Sequence, residues 1–132
     1  MSEHTFRVLA DERLAIVQWF GQVTFEEVVG WLDEVLAHPD FSAEFDGIVD
    51  LRRGDLARMT PSQVNAIAQL MIEKQLTRGK WVHLVAGPLE TAFSMIYSRA
   101  VREQYRMHVF STVESAAEFL GRDPAALQLI TG

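Results

Sequence analysis

The residues best equipped for chemistry sit together in IVDLRRGDLARMTPSQ, positions 48–63. An apolar run ends in Asp50, Arg52 and Arg53 follow, and Thr60-Pro61-Ser62-Gln63 opens a helix. An acid and two arginines at the end of a buried strand can hold a small anion or a carboxylate. The helices that begin at Pro61 and Pro88 should point their N-termini, with free backbone NH groups, at the same edge. Asp50, Arg52, Arg53 and Gly87 are therefore candidate ligand-binding residues. The alternative stays open that Asp50 only accepts hydrogen bonds from its own loop, with the arginines solvated or paired with Asp55. Thr60 reads as an N-cap, and Ser62 falls at the second helical position, where a phosphate would be electrostatically welcome. The cap already accounts for both residues, so phosphorylation of Ser62 or Thr60 is not expected.

Other chemistry finds little support. The chain contains no GxSxG, P-loop or GxGxxG pattern, and its serines have no recognisable triad neighbours in sequence. With no cysteine there is no thiolate nucleophile, thiolate metal site or disulfide. His4, His38, His83 and His108 show no metal-ligand spacing; His83 and His108 fall in the last two expected strands and read as core histidines. No catalytic residue, metal or cofactor is expected. The helix from Pro88 carries Tyr97 and Met95 beside its main apolar stripe, so its apolar surface is broad. Such a face can be core, a subunit interface or the wall of a ligand pocket, and Tyr97 joins the binding candidates on that account.

The elements that must position these residues follow from periodicity. TFRVLA (5–10) and LAIVQWF (14–20) are strands joined by a tight polar turn. Thr24 caps a helix whose apolar residues run from Phe25 to Leu36. GIVDL (47–51), WVHLVA (81–86) and MHVF (107–110) are further strands. Helices start at Pro61, Pro88 and Val113, and Asp123-Pro124 begins a short final turn or helix. The stretch 51–59 is the longest without an element. The expectation is one α/β domain over residues 1–132: a mainly parallel five-stranded sheet with an antiparallel first strand, and four helices.

Composition places limits on function. The chain is 48% hydrophobic and 23% charged, enough to bury a core without staples. Its net charge is −6, with the acidic excess in the first half and no basic stripe, which argues against nucleic acid. No apolar run reaches the length of a membrane span, and the N-terminus lacks a signal-peptide core. A cytoplasmic location is the expectation.

The stretch GQVTFEEVVGWLDEVLAHPDFSAEFDGIVDLRRG resembles the second-to-third-strand segment of the SpoIIAA-like, or STAS-like, family of small bacterial proteins. The tail GKWVHLVAGPLETAFSMIYSRAVREQYRMHVFSTVESAAEFLG is similar to that family's closing strand-helix-strand-helix, with Val109-Phe110 and Phe119-Leu120 at the usual places. The resemblance covers about residues 5–121 and implies an α/β domain that binds rather than catalyses. Classical members are anti-sigma-factor antagonists, switched at a serine in an Asp-Ser-x-Gly motif. Here Arg58-Met59-Thr60-Pro61-Ser62-Gln63 lacks the acid before the serine and the glycine after it. Another branch is likened to lipid-binding Sec14-type domains with a hydrophobic pocket. The expected function is a non-enzymatic regulatory or protein-interaction module that forms a homodimer, with a protein partner or a small apolar or acidic ligand as further expectations. The alternative is a carrier of a small apolar or acidic molecule, held between the helices and the carboxyl edge of the sheet.

Overall fold

A computed structural model describes residues 3–132. In chain order the elements are β1 (Glu3–Leu9), a 3-10 turn (Ala10–Glu12), β2 (Leu14–Gln22), α1 (Phe25–Ala37), β3 (Asp46–Asp55), α2 (Pro61–Lys74), β4 (Lys80–Leu84), α3 (Pro88–Val101), β5 (Arg106–Phe110), α4 (Val113–Leu120) and α5 (Pro124–Thr131). The strands lie in the order β1-β2-β3-β4-β5. β1 runs antiparallel to β2, and the remaining pairs are parallel. The α/β class, the five-stranded mixed sheet and the reversed first strand match the sequence expectation.

Two points differ from it. There are five helices rather than four: Pro124 at the first position and Leu127 on the inner side make the final segment a true helix. The supposed loop after Leu51 is strand as far as Asp55. It was hidden because Arg52, Arg53 and Asp55 break the apolar run. The strand tolerates them by a register shift: Gln18 pairs with Asp50, but Phe20 pairs with Arg53, so one extra β3 residue bulges opposite Trp19.

Each crossover from β2 to β5 adds its strand on the same side, so a single handedness puts α1, α2 and α3 on one face of the sheet. They close over Val17, Trp19, Leu51 and Trp81 as the larger core. α4 and α5 cover the other face, over Leu14, Ile16, Ile48, Val82 and Leu84. The caps are those the sequence implies. Thr60 accepts from the Gln63 amide while the Gln63 side chain accepts from the Thr60 amide, a full capping box. Thr24 and Thr112 cap α1 and α4 without the reciprocal bond, their hydroxyls accepting from the Glu27 and Ser115 amides.

One close approach fixes the β3–β4 pair. Gly47 stands opposite Trp81, and a Cβ there would stand inside the indole ring. The Trp81 Nε1–H donates to Thr77 Oγ1 at 2.7 Å, so the ring is tethered and cannot swing aside freely. Gly47→Ala should lower the unfolding free energy by about 1–3 kcal/mol through overpacking. Urea titration checks this, and a change within about 0.5 kcal/mol, the range of a neutral surface substitution, would show that Trp81 is not held.

Candidate functional site

β3 is flanked by strands on both sides and covered on both faces, so its side chains alternate between the two cores. On the α4–α5 side Gln18 and Asp50 interrupt an otherwise apolar surface. Asp50 is only 2% exposed. Its carboxylate accepts from Gln18 Nε2 at 3.1 Å, from the Arg52 amide at 3.1 Å, and from Arg52 Nε and Nη2 at 3.0 and 2.8 Å. The bulge frees the Arg52 amide from the ladder, and Asp50 takes it. Burial alone would raise the Asp50 pKa, but the bonds from Arg52 and Gln18, with the Arg52 charge, outweigh it and hold the acid below the ordinary carboxylate range. The bond to Asp50 raises the pKa of Arg52 in turn.

This cluster holds down α5. Gln18 Nε2 donates to the Thr131 carbonyl at 2.7 Å, Arg7 Nη2 to Ile130 O at 2.6 Å, and Arg52 Nη2 to Gly132 O at 3.5 Å. The last carbonyls of a helix have no partners within it and carry the negative end of its dipole. Here one amide and two guanidinium groups meet them. Asp50 and Arg52 thus lie together as the sequence suggests, with their donors and acceptors spent on each other and on α5. Arg53 is exposed and apart from them.

At the edge of the sheet where α2 and α3 begin, the chain supplies its own carboxylate. Gly87 is the N-cap of α3, and the place a Cβ would take there is filled by Glu90 Oε1. Glu90 is buried, and its Oε2 accepts from the Leu56 amide at 3.0 Å. Thr60 is engaged in its capping box, and Ser62 is exposed beside it.

The other face is hollow. A chamber of about 90 Å³ lies between the sheet and α1–α3. Trp19, Trp31 and Trp81 all form its wall, set edge to face at 6.3 Å (Trp19 to Trp31) and 6.4 Å (Trp31 to Trp81). Leu56, Met59 and Met71 add to the wall from the β3–α2 connection and α2. Val49, in the middle of the central strand, keeps accessible surface although its neighbour Ile48 has none. Val49 also lines the chamber, which accounts for that surface. None of the lining residues is a lysine, arginine, aspartate or glutamate.

Thr77 and Tyr105 spend their hydroxyls on Trp81 Nε1 and Met71 O, and a second polar patch of the wall is built around His83. His83 stacks on Tyr97 at 5.2 Å with 16° between the rings, and its Nδ1 is 3.0 Å from Ser94 Oγ. Burial pushes the His83 pKa down to about 3, so the imidazole is neutral near pH 7. Burial, with Tyr105 nearby, raises that of the Tyr97 phenol. Trp31 Nε1 is sealed from water and meets no acceptor among the described residues. His83 and His108 are on adjacent strands, but His83 pairs with Val109 and His108 with Val82, so the two rings point to opposite faces. Among the described residues no three potential ligands gather to hold a metal ion, and no helix is long and apolar enough to cross a membrane.

The sequence candidates therefore divide between the faces. Tyr97 is in the chamber, Asp50 and Arg52 are behind the sheet, and Gly87 is at its edge. Sequence reasoning passed over Gln18, Glu90 and Ser94 and took His83 as a core residue. A signal for them was present: Glu90, Ser94, Tyr97 and Val101 recur at helical spacing on the inner face of α3, and Gln18 interrupts the apolar run LAIVQWF.

Fold and site define the class: an α/β domain with a mixed five-stranded sheet and an aromatic-walled chamber between that sheet and α1–α3. No family model and no curated protein matches the chain.

Two outcomes test the site. Asp50→Ala strips Arg52 and Gln18 of their partner and should reduce stability by about 1.5–3 kcal/mol at neutral pH, the range for charged hydrogen bonds. Because the folded pKa of Asp50 is depressed, its contribution is present above the ordinary aspartate pKa of about 3.9 and is lost as pH falls through the lower folded value. The gap between wild type and variant should therefore close in acid; a gap that is constant with pH sinks this account. His83 has the same sign. Between its ordinary pKa of 6.5 and about 3 the unfolded chain takes up a proton that the folded one refuses, so stability falls as pH drops. His83→Phe should flatten that slope by about 1.4 kcal/mol per pH unit, read from denaturant titrations across the window.

Proposed function

We propose that the protein is a non-enzymatic binding module that carries a small apolar molecule in the chamber between the sheet and α1–α3. The observation that carries this reading is the chamber itself: a void beside a central strand, walled by three tryptophans, with a few polar side chains and no charged one in its wall. Ligand sites are typically apolar concavities with a few placed polar groups. The absence of a catalytic role is supported by Ser94, which lies within α3, where backbone NH groups are used by the helix. It contacts His83 without an acid completing a triad among the hydrogen bonds of the described residues. The strand order and the reversed first strand support a SpoIIAA-like domain, and the chamber, with no Asp-Ser-x-Gly motif at the start of α2, supports its pocket-bearing branch.

A second reading, a regulatory or partner-binding module that acts as a homodimer, rests on α3. Leu89 and Met95 on that helix are 37% and 45% exposed. Light scattering separates the two readings, because a Met95→Glu variant should change the mass only if this face pairs.

Native mass spectrometry of freshly purified protein should show a retained small-molecule mass. Addition of cyclopentane to stripped protein should alter tryptophan emission, since Trp19, Trp31 and Trp81 all line the chamber. A clean apo mass together with unchanged emission would overturn the carrier reading.

A further inference from the structure

Resting on the carrier reading, we infer that the chamber selects an uncharged compound, ring-sized or smaller, whose one oxygen acceptor is bound by His83 Nε2 and the Tyr97 phenol. The hydrogen-bond arrangement points this way. Ser94 Oγ lies 3.0 Å from His83 Nδ1 and makes no other hydrogen bond among the described residues, so we take the hydroxyl as the donor, which places the imidazole hydrogen on Nε2. Nε2 has no partner among the described residues, yet it is not among the side-chain atoms sealed from water without a bond. The Tyr97 hydroxyl is in the same condition. Both side chains line the chamber, and their rings are stacked with centroids 5.2 Å apart. The wall therefore offers a ring N–H and a phenolic O–H, and what it lacks is an acceptor.

Charge and size narrow the class further. With no lysine or arginine in the wall, a carboxylate would enter without a counter-charge and lose its hydration. The same holds for an ammonium group, which would meet no acid. The volume of about 90 Å³ is below the roughly 150 Å³ of an engineered cavity that admits benzene. A compact ketone, lactone or ether, or such a group at the end of a larger molecule, fits; a whole acyl chain does not.

Three probes of equal heavy-atom count test this: cyclopentanone, methylenecyclopentane, which replaces the oxygen by CH₂, and cyclopropanecarboxylate. Affinities are read by ligand-observed NMR on wild type, His83→Phe and Tyr97→Phe, both replacements preserving a stacked ring. Long-range proton–nitrogen spectra report the His83 tautomer. We expect an Nε2–H tautomer and a shift of that nitrogen with cyclopentanone only. His83→Phe should weaken cyclopentanone about three- to tenfold and leave methylenecyclopentane unchanged or tighter, with a smaller loss for Tyr97→Phe. Carboxylate binding should be undetectable. Equal changes for ketone and hydrocarbon in both variants, or an Nδ1–H tautomer, overturn the acceptor rule while the chamber stands. Preference for the carboxylate overturns the ligand class. Failure of all three probes to bind wild type removes the carrier reading along with this inference. Should His83→Phe not fold, the wild-type tautomer and nitrogen shift decide the matter alone.

Discussion

The alternation of β3 between two cores is the constraint on which the rest depends. A strand flanked and covered on every side sends successive side chains to opposite compartments, and a shift of one residue would exchange them. Ile48 and Asp50 go to α4 and α5, and Val49 and Leu51 go to α1–α3. With that register, the only buried acid of the strand meets Gln18 and Arg52 rather than the tryptophans. Reversed, it would leave a carboxylate in an apolar chamber with no counter-charge, at a cost of several kcal/mol.

The Asp50 cluster is best understood as a helix-docking device. α5 is short and its N-cap Asp123 makes no side-chain cap bond, so little within the helix stabilises it. Burial of Leu127 supplies one anchor. The other is the set of donors from Arg7, Gln18 and Arg52 that satisfies its final carbonyls. Asp50 acts through these, since it orients Gln18 and Arg52 and neutralises the guanidinium it touches. Arg7 comes from β1 and Arg52 from β3, so the reversed first strand also has a use: it brings a long cation across to the end of α5.

Much of the fold was legible because local signals agreed. Thr24, Thr60 and Thr112 mark helix starts, prolines occupy first helical positions, and WVHLVA reads as a strand covered on both faces. The misreading of 52–55 has a physical cause. Charged residues at 52–55 imitate a loop, but a bulge lets the strand continue, and a bulge leaves no trace in a period-two pattern. The candidate site was legible only in part. Tyr97 is visible as an inward aromatic, but the chamber depends on Trp19, Trp31 and Trp81 converging from β2, α1 and β4, which no local spacing encodes. Asp50 and Tyr97 are both inward residues, and sequence cannot tell which face each one serves until the strand pairing is known.

Residue size explains why α4 lies close on the sheet while a chamber stays open under α1–α3. α4 buries Val113, Ala116, Ala117 and Leu120, and two alanines in its centre let the helix lie close on the sheet. The opposite face presents indoles, which are rigid and bulky and hold their positions by edge-to-face contacts and the Trp81–Thr77 bond. Flexible side chains such as Met59 and Met71 could otherwise collapse into the gap. A void of about 90 Å³ forgoes about 2 kcal/mol of packing at the usual cost per unit of empty volume. That is a substantial fraction of the net stability of a domain this size. Protein interiors are otherwise filled to crystal-like density, so a chamber kept open at that expense needs a wall too rigid to close, and the three edge-to-face indoles supply it.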